Sequence, residues 1–364
     1  MYRLKILFIE AFYGGSHRAF ADGLINHSRY DIHLISLPAR FWKWRLRGAS
    51  LHFSREIENW QDYDLIISGG MMSLADLKAL AGPDLPPLVL YSHESQLSYP
   101  LPPEEKIDYQ FGFTDISNCL TADGILFNSR FHLDAFFHEL GPFLQRIPEY
   151  RPDWIPEAIR KKSRVMYPGC ELSAFHNPPK LPRNNPPLIL WNHRWEFDKA
   201  PEKFFKALEL LDKKGLDFRL ALLGESSQKV PKPFKAAREH FGKQIAVYGY
   251  RKSREEYDAW LRKSDIVIST ALQENFGISI VEAVAAGAYP LLPRRLAYPE
   301  VLPDCFHREH LYRNVSDLVA KLEKLLKQDV SPKPELSRSM MIYDWENCID
   351  EYDDYFSTLA EGRK

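Results

Sequence analysis

Short, mainly apolar runs recur along this chain, each followed by a stretch with helical spacing, and that alternation constrains the fold more than any other feature. Leu4–Ile9, Ile32–Ile35, Leu65–Ile67, Leu88–Leu90 and Gly124–Phe127 are too short for helices and lack the polar alternation of half-exposed strands. They read as strands buried on both faces of a mainly parallel sheet. Helical patterns lie between them near residues 16–27, 73–81, 109–121 and 130–140. The C-terminal half repeats the scheme, with strands near residues 188–191, 218–223, 245–248, 265–270 and 289–292. This predicts an α/β chain of doubly wound layers, and a length of 364 residues calls for two domains rather than one core.

The expected divisions follow from composition along the chain. Asn177-Pro-Pro-Lys-Leu-Pro-Arg-Asn-Asn-Pro-Pro187 has little capacity for helix or ladder and reads as a stiff linker. It separates an N-terminal domain, 1–176, from a second domain, 188–338. A last segment, 339–364, contains an aromatic helix from about Ser339 to Leu359, where Tyr352, Tyr355 and Phe356 share helical offsets and Trp345 precedes them. The net charge of −1 gives no global nucleic-acid signature, so any RNA contact has to come from a local patch. The four cysteines lie far apart without metal-ligand spacing and read as reduced thiols. No apolar run reaches the roughly 18–20 residues of a membrane span and no secretory signal precedes Leu4, so a soluble cytoplasmic protein is expected.

Most of the functional information sits in Glu274-Asn-Phe-Gly-Ile-Ser-Ile-Val-Glu282. The apolar run Ile266–Thr270 precedes it as a buried strand, and Val281, Val284 and Ala285 continue it as a helix that Gly287 can stop. A strand, a loop and a helix start favour an anion, because unpaired N–H groups and the helix dipole point at it. Two carboxylates in the same segment suit neutral hydroxyls. Together they describe a site for a sugar attached to a phosphate. The plainer reading is that two glutamates near a helix start favour the dipole and face solvent.

The run ENFGISIVEAVAAG resembles the signature of retaining, metal-independent GT-B glycosyltransferases of family 4. The resemblance covers nearly the whole chain. It implies two Rossmann-like domains facing each other across a cleft, with a last helix that crosses back to the first domain. It gives Glu274 the donor-sugar hydroxyls and Glu282 the ribose, with Phe276 and Gly277 in the intervening turn. Arg194 and Lys199, in Trp191-Asn-His-Arg-Trp-Glu-Phe-Asp-Lys199, match the paired cations that grip a diphosphate; otherwise they are a solvated loop with surface ion pairs. Gly14 and Gly15 match the loop that covers the diphosphate from the N-terminal side, or form an ordinary strand-to-helix turn. His93 matches the histidine that contacts the transferred sugar, against a buried structural histidine. Gly224, with Glu225, resembles a second nucleotide loop, and Tyr248-Gly-Tyr250 lies where a nucleobase usually rests. No metal and no cofactor beyond the nucleotide-sugar donor are expected. Asp62-Tyr-Asp64 superficially resembles a metal-holding pair but fits better as a strand entry.

A narrower resemblance concerns the acceptor. Ile9–His17, Leu37–Arg47, Asp108–Gly112, Trp191–Lys199 and Tyr298–Leu302 are similar to the tRNA-queuosine mannosyltransferases, which move mannose from GDP-mannose onto queuosine at the wobble position of an aspartate tRNA. A queuosine-containing tRNA partner is therefore implied; nothing calls for a membrane or an obligate protein partner. Arg40, Lys43, Arg45 and Arg47 interleave with Phe41, Trp42 and Trp44, supplying cations for phosphates and rings for unstacked bases. The same loop composition also suits a surface segment that snorkels its cations over buried rings. Arg160, Lys161, Lys162 and Arg164 form a second basic set. Two other functions stay open: a glycosyltransferase for a lipid, polysaccharide or small metabolite, and a non-enzymatic RNA- or nucleotide-binding protein on the same scaffold.

Overall fold

The structure is a computed structural model that describes residues 3–101, 105–176, 182–225, 230–328 and 333–362. The chain divides into a first unit, 1–170 with 345–364, and a second unit, 171–344. The division after Cys170 precedes the proline-rich segment, whose residues 177–181 lie outside the described residues and whose remainder belongs to the second unit.

The first unit holds the strands β1 (Lys5–Tyr13), β2 (Asp31–Pro38), β3 (Leu65–Ser68), β4 (Leu88–Ser92), β5 (Gly124–Phe127) and β6 (Ser163–Val165). All pair in parallel in the order β2-β1-β3-β4-β5-β6. The second unit holds β7 (Leu188–Asn192), β8 (Arg219–Leu223), β9 (Ile245–Tyr248), β10 (Ile266–Ile268), β11 (Tyr289–Pro293) and β12 (Leu311–Tyr312). These are again parallel, in the order β12-β11-β10-β7-β8-β9. Read from β9, this is the 3-2-1-4-5-6 order of dinucleotide-binding sheets, whose ligands bind where the winding direction reverses. In the second sheet that point lies between β7 and β10; in the first it lies between β1 and β3.

Aspartates at three strand entries fix how neighbouring strands begin. Asp64, just before β3, accepts the Lys5 N–H at 2.9 Å; Asp123, before β5, accepts that of Leu88 at 2.8 Å; Asp265, before β10, accepts that of Leu188 at 2.7 Å. Each satisfies a donor that opens a strand and would otherwise lack a ladder partner. This is the structural role expected of Asp62-Tyr-Asp64.

Both faces of each sheet are covered, so core clusters lie above and below it. On the first sheet, one layer joins Leu7, Phe53, Ile66 and Phe136, and the other joins Phe8, Phe20, Tyr91, Trp345 and Tyr352. The second layer depends on the helix Trp345–Glu361. This helix starts six residues later than the sequence pattern places it, because Pro334–Ser339 and Met340–Tyr343 form separate short turns in the second unit. Its Asp353 accepts from Ser28 Oγ at 2.6 Å and from the Arg29 N–H at 2.9 Å, and Tyr352 donates to the Tyr167 carbonyl at 2.8 Å.

One segment differs from its sequence reading in kind. The basic-aromatic stretch expected as a loop is the start of a helix, Trp42–Glu56. Only Leu46, Ala49, Ser50 and Phe53 are buried along it, so its apolar stripe is too narrow to announce a helix.

Candidate donor site and histidine cluster

The donor-side residues gather at the reversal point of the second sheet. The loop after β7 carries Arg194 and Lys199, and the loop after β10 carries Glu274. Hydrogen bonds lace the two loops together: Leu272 N–H donates to the Asp198 carbonyl at 2.6 Å, and Thr270 Oγ1 donates to the Lys199 and Ala200 carbonyls at 2.9 and 3.0 Å. Ala200 is held at φ +45, a left-handed conformation that costs a non-glycine residue about 1–3 kcal/mol and persists where surrounding contacts impose it. Pro201 then starts the helix Pro201–Asp212.

Lys199 is 7% exposed. Its ammonium donates to the Gln273 carbonyl at 2.7 Å and lies 3.3 Å from Glu274 Oε2 and 3.2 Å from Asp198 Oδ2. Burial alone would lower its pKa, but Glu274 and Asp198 outweigh it and raise the pKa, so the site holds a fixed cation. Arg194 is half exposed and pairs with Glu196 at 3.3 Å. Glu282 sits inside the helix Ile278–Ala285 and is buried. Arg254 Nη1 donates to its Oε1 at 2.7 Å and the Tyr257 hydroxyl to its Oε2 at 3.1 Å. Burial raises the Glu282 pKa, and Arg254 and Tyr257 oppose that rise. Each carboxylate oxygen keeps a further acceptor direction for a hydroxyl. Thus Lys199 and Glu274 touch, while Glu282 belongs to an adjoining network with Arg254.

The sequence reading missed Asp198, Arg254 and Tyr257. The two on the helix Arg254–Lys263 carry a visible signal: Ser253 caps the helix by accepting the Glu256 N–H at 3.3 Å, and residues three apart share a face. Nothing in the sequence says that this face meets Glu282.

Other expected site residues take structural work as well. Phe276 is 2% exposed and its ring meets Tyr343 edge-on at 5.1 Å. Gly277 has φ +102 and opens the helix; only a glycine adopts this without strain. A Cβ on Gly224 would lie 1.9 Å from the His193 carbonyl, so glycine there lets the loop after β8 close on the loop that carries Arg194. Tyr248 donates to the Phe234 carbonyl at 3.2 Å and its ring meets Trp195 at 4.7 Å; Tyr250 beside it is 60% exposed.

In the first unit, Gly14 is extended, and a Cβ there would come within 2.4 Å of the Ala39 Cβ, so close packing rather than backbone freedom requires it. Gly15 has φ +53 and open space around it. His93, directly after β4, joins a buried group at the reversal point of the first sheet. Its ring stacks on His17 with centroids 3.9 Å apart and planes inclined by 27°. Glu10, fully buried, lies 3.2 Å from His17 Nδ1 and 4.0 Å from His93 Nε2. These three groups bring possible ligand atoms within 4.8 Å of one another. Two imidazoles that share a metal must each hold it near the ring plane, and nearly parallel stacked rings do not converge on one ion. The arrangement therefore suits a carboxylate that orients a histidine pair.

Burial, with His17 and His132 adding repulsion, holds the His93 pKa well below its usual value. His132 and His193 fall to about 3, mainly by burial. These folded-state values lie below the unfolded value, so between the two the unfolded chain binds more protons. Stability is then present above about pH 6.5 and is lost as pH falls, at about 1.4 kcal/mol per pH unit for each histidine. Urea titrations at pH 6 and pH 5 should show this loss, and His132→Phe should reduce the slope. An unchanged midpoint would contradict neutral burial.

The basic-aromatic segment is split by its helix. Lys43, Trp44 and Arg47 are exposed at i, i+1 and i+4 of the helix and Arg40 is exposed just before it, whereas Trp42 and Arg45 are half-buried. Trp44 is 79% exposed. Lys43 pairs with Glu105 at 2.9 Å, Arg45 reaches the Pro38 carbonyl at 3.5 Å, and Arg47 donates to Thr114 Oγ1 at 3.3 Å. In the second basic set Arg160, Lys161 and Arg164 are exposed and Lys162 is half-buried. Lys162 donates to the Leu120 and Ala122 carbonyls at 2.7 and 2.5 Å, Lys161 pairs with Glu157, and Arg160 and Arg164 lie over the Phe137 and Tyr355 rings.

Among the described residues, no helix is long and apolar enough to cross a membrane. Residues 5–170 match the family model for the tRNA-queuosine alpha-mannosyltransferase N-terminal region, and residues 174–343 match glycosyl transferases group 1. A Drosophila melanogaster tRNA-queuosine alpha-mannosyltransferase is 37% identical over 330 residues, covering 87% of this chain and 85% of that protein. A GDP-mannose-dependent alpha-(1-6)-phosphatidylinositol dimannoside mannosyltransferase of Mycobacterium tuberculosis is 26% identical over 37% of this chain and 36% of its own length. Among solved structures, a sucrose-phosphate synthase from Thermosynechococcus elongatus shares the fold with a TM-score of 0.76 at 14% identity, covering 99% of this chain and all of that one. A glycosyltransferase from Rickettsia africae does so with a TM-score of 0.67 at 15% identity over 98% of each chain. With two parallel Rossmann-like sheets of the GT-B class and these matches along both, the chain belongs to the tRNA-queuosine alpha-mannosyltransferase family.

Proposed function

We propose that this chain transfers mannose from GDP-mannose to queuosine at the wobble position of tRNA(Asp), in the cytoplasm, with retained anomeric configuration and without a bound metal. The observation that carries the chemistry is the buried Lys199 ammonium, fixed against Glu274 and Asp198 at the reversal point of the second sheet. Rupture of the sugar–phosphate bond leaves negative charge on the departing diphosphate, and a preorganised cation favours that charge more than the ground state. Lys199, with Arg194 at the rim, supplies the charge that a metal supplies elsewhere.

Glu274 accepts from sugar hydroxyls, and Glu282, held by Arg254, accepts from the ribose. Neither carboxylate is placed as a nucleophile: Glu274 is held by Lys199 and Glu282 by Arg254 and Tyr257. The departing phosphate oxygen itself can take the proton of the incoming hydroxyl on the same face of the sugar. Mannose is supported by the names of both the insect and the mycobacterial relatives, GDP-mannose by the mycobacterial one, and the RNA acceptor by the insect one. The exposed stripe Arg40, Lys43, Trp44 and Arg47 supplies cations and a ring for a single-stranded loop.

Labelled nucleotide sugars, offered with and without queuosine-containing tRNA, test the assignment. Label from GDP-mannose alone, in that tRNA alone, is expected, with an α-linked product by NMR. Transfer from another donor or into unmodified tRNA would overturn it. Glu282→Ala should weaken donor binding by about 1.5–3 kcal/mol, the range for a hydrogen bond to a charged group. Equal donor affinity by calorimetry would remove the ribose role.

A further inference from the structure

We infer that the first unit contains a pocket for one unstacked base of the acceptor RNA, formed where the helix Trp42–Glu56 meets the loop between β4 and the helix Tyr109–Thr121. This rests on the tRNA reading above and adds a particular site to it. The cavity measures about 660 Å³, within the range of about 300–1,000 Å³ typical of small-ligand pockets. Trp42, Phe111 and Phe143 provide its rings, and Lys43, Lys106 and Arg146 its cations.

The chemistry favours a nucleotide over a purely apolar or purely anionic ligand. Trp42 is half-buried and meets Phe111 at 5.2 Å with planes inclined by 53°, which fixes the indole. A fixed ring that also lines a cavity is a stacking platform. Lys43 Nζ lies 5.4 Å from the Trp42 ring centre, and Arg146 lies 5.9 Å from that of Tyr109. Cations beside rings match a ligand whose flat face and phosphate are one linker apart. Glu105, Asp108 and Glu139 also line the cavity, matching its three cations in number, and base N–H groups need such acceptors. They do not simply repel RNA phosphates, since Glu105 is paired with Lys43, Asp108 accepts the Gln110 N–H at 3.0 Å, and Glu139 lies 2.9 Å from His138 Nδ1.

Placement supports the same ligand. One wall is formed by described residues between Gln96 and Leu101 and between Glu105 and Asp108, in the stretch that starts at His93 on the carboxyl edge of the first sheet, where ligands of such folds bind. Its conformation is built in: Asp115 accepts from Ser95 Oγ at 2.8 Å and from the Gln96 N–H at 2.6 Å, and Gln96 and Leu97 line the cavity. Phe41 and Trp44, next to Trp42 in sequence and 67% and 79% exposed, offer further rings to a loop with several splayed bases.

The test is a double-mutant cycle between protein and RNA. Queuosine-containing anticodon stem-loops are prepared with an abasic residue at each loop position in turn. Their affinities are measured for the wild-type chain, Trp42→Ala and Trp42→Phe, with melting curves reporting the fold. Trp42→Ala should weaken the intact stem-loop about tenfold to a hundredfold, and Trp42→Phe should restore most of the loss. One abasic position should cost the wild type that same factor and cost Trp42→Ala almost nothing. Should every abasic RNA lose equally against both proteins, or Trp42→Ala bind the intact RNA as well as the wild type, the pocket assignment fails. Absence of binding and mannosylation by the wild-type chain would instead overturn the tRNA reading itself.

Discussion

Lys199→Ala is expected to lower the rate of glycosyl transfer by about 10²- to 10³-fold, the loss that follows removal of one preorganised charge-stabilising group. The effect should appear in kcat, because the leaving diphosphate gains charge only as the sugar bond breaks. A second consequence separates Lys199 from Arg194. Lys199 is buried between Asp198 and Glu274, and removing one member of a buried charged group typically costs about 3–5 kcal/mol of stability. Arg194 is half exposed and pairs with the partly exposed Glu196 at 3.3 Å, so its loss should scarcely move the melting temperature. The expected pattern is therefore two slow variants, of which only Lys199→Ala melts early. Single-turnover transfer and thermal melting on the same preparations give both readings. A Lys199→Ala enzyme with wild-type kcat would mean that the cation serves the loops and not the reaction.

Much of that site was legible before the structure because its members lie close in sequence. Arg194 and Lys199 share one loop, and Glu274 and Glu282 frame one helix start. What stayed hidden is held by distant chain. Arg254 lies 28 residues before Glu282 and on another helix, and no local spacing reveals that pair. Glu10 and His17 straddle a strand end, and their relation to His93 exists only because β1, β3 and β4 are neighbours in the sheet. Strands followed the same logic. Those buried on both faces appear as plain apolar runs, whereas β6 is half-exposed along its length and β12 has two residues, too few to show a period. The helix Trp42–Glu56 escaped because its buried positions are only Leu46, Ala49, Ser50 and Phe53, too few and too mixed to mark an apolar stripe.

A stability effect as large is expected at Trp345, whose slot is shaped by two glycines that lie far from it in sequence. Its indole is fully buried on the first sheet, 5.7 Å from Phe20 and 6.1 Å from His27 between ring centres. Added side chains show how tightly it is held: a Cβ on Gly23 would lie 2.0 Å from Trp345 Nε1, and one on Gly169 would lie 2.1 Å from Cδ2. Trp345→Ala should cost about 3–5 kcal/mol, the usual range for emptying a buried aromatic site. Gly23 is inside the helix Gly15–His27, where exchanging glycine for alanine normally stabilises by about 1 kcal/mol. Here the sign should reverse, because the new methyl group overpacks the indole, at about 1–3 kcal/mol. The two substitutions should also couple, since shrinking Trp345 removes the atoms that Gly23→Ala collides with. In the double variant the alanine at 23 should become neutral or favourable. If Gly23→Ala instead stabilises the wild-type chain, the indole does not occupy this slot. The last helix would then lack the anchor by which the chain, after leaving the first unit at Cys170, returns to complete its core.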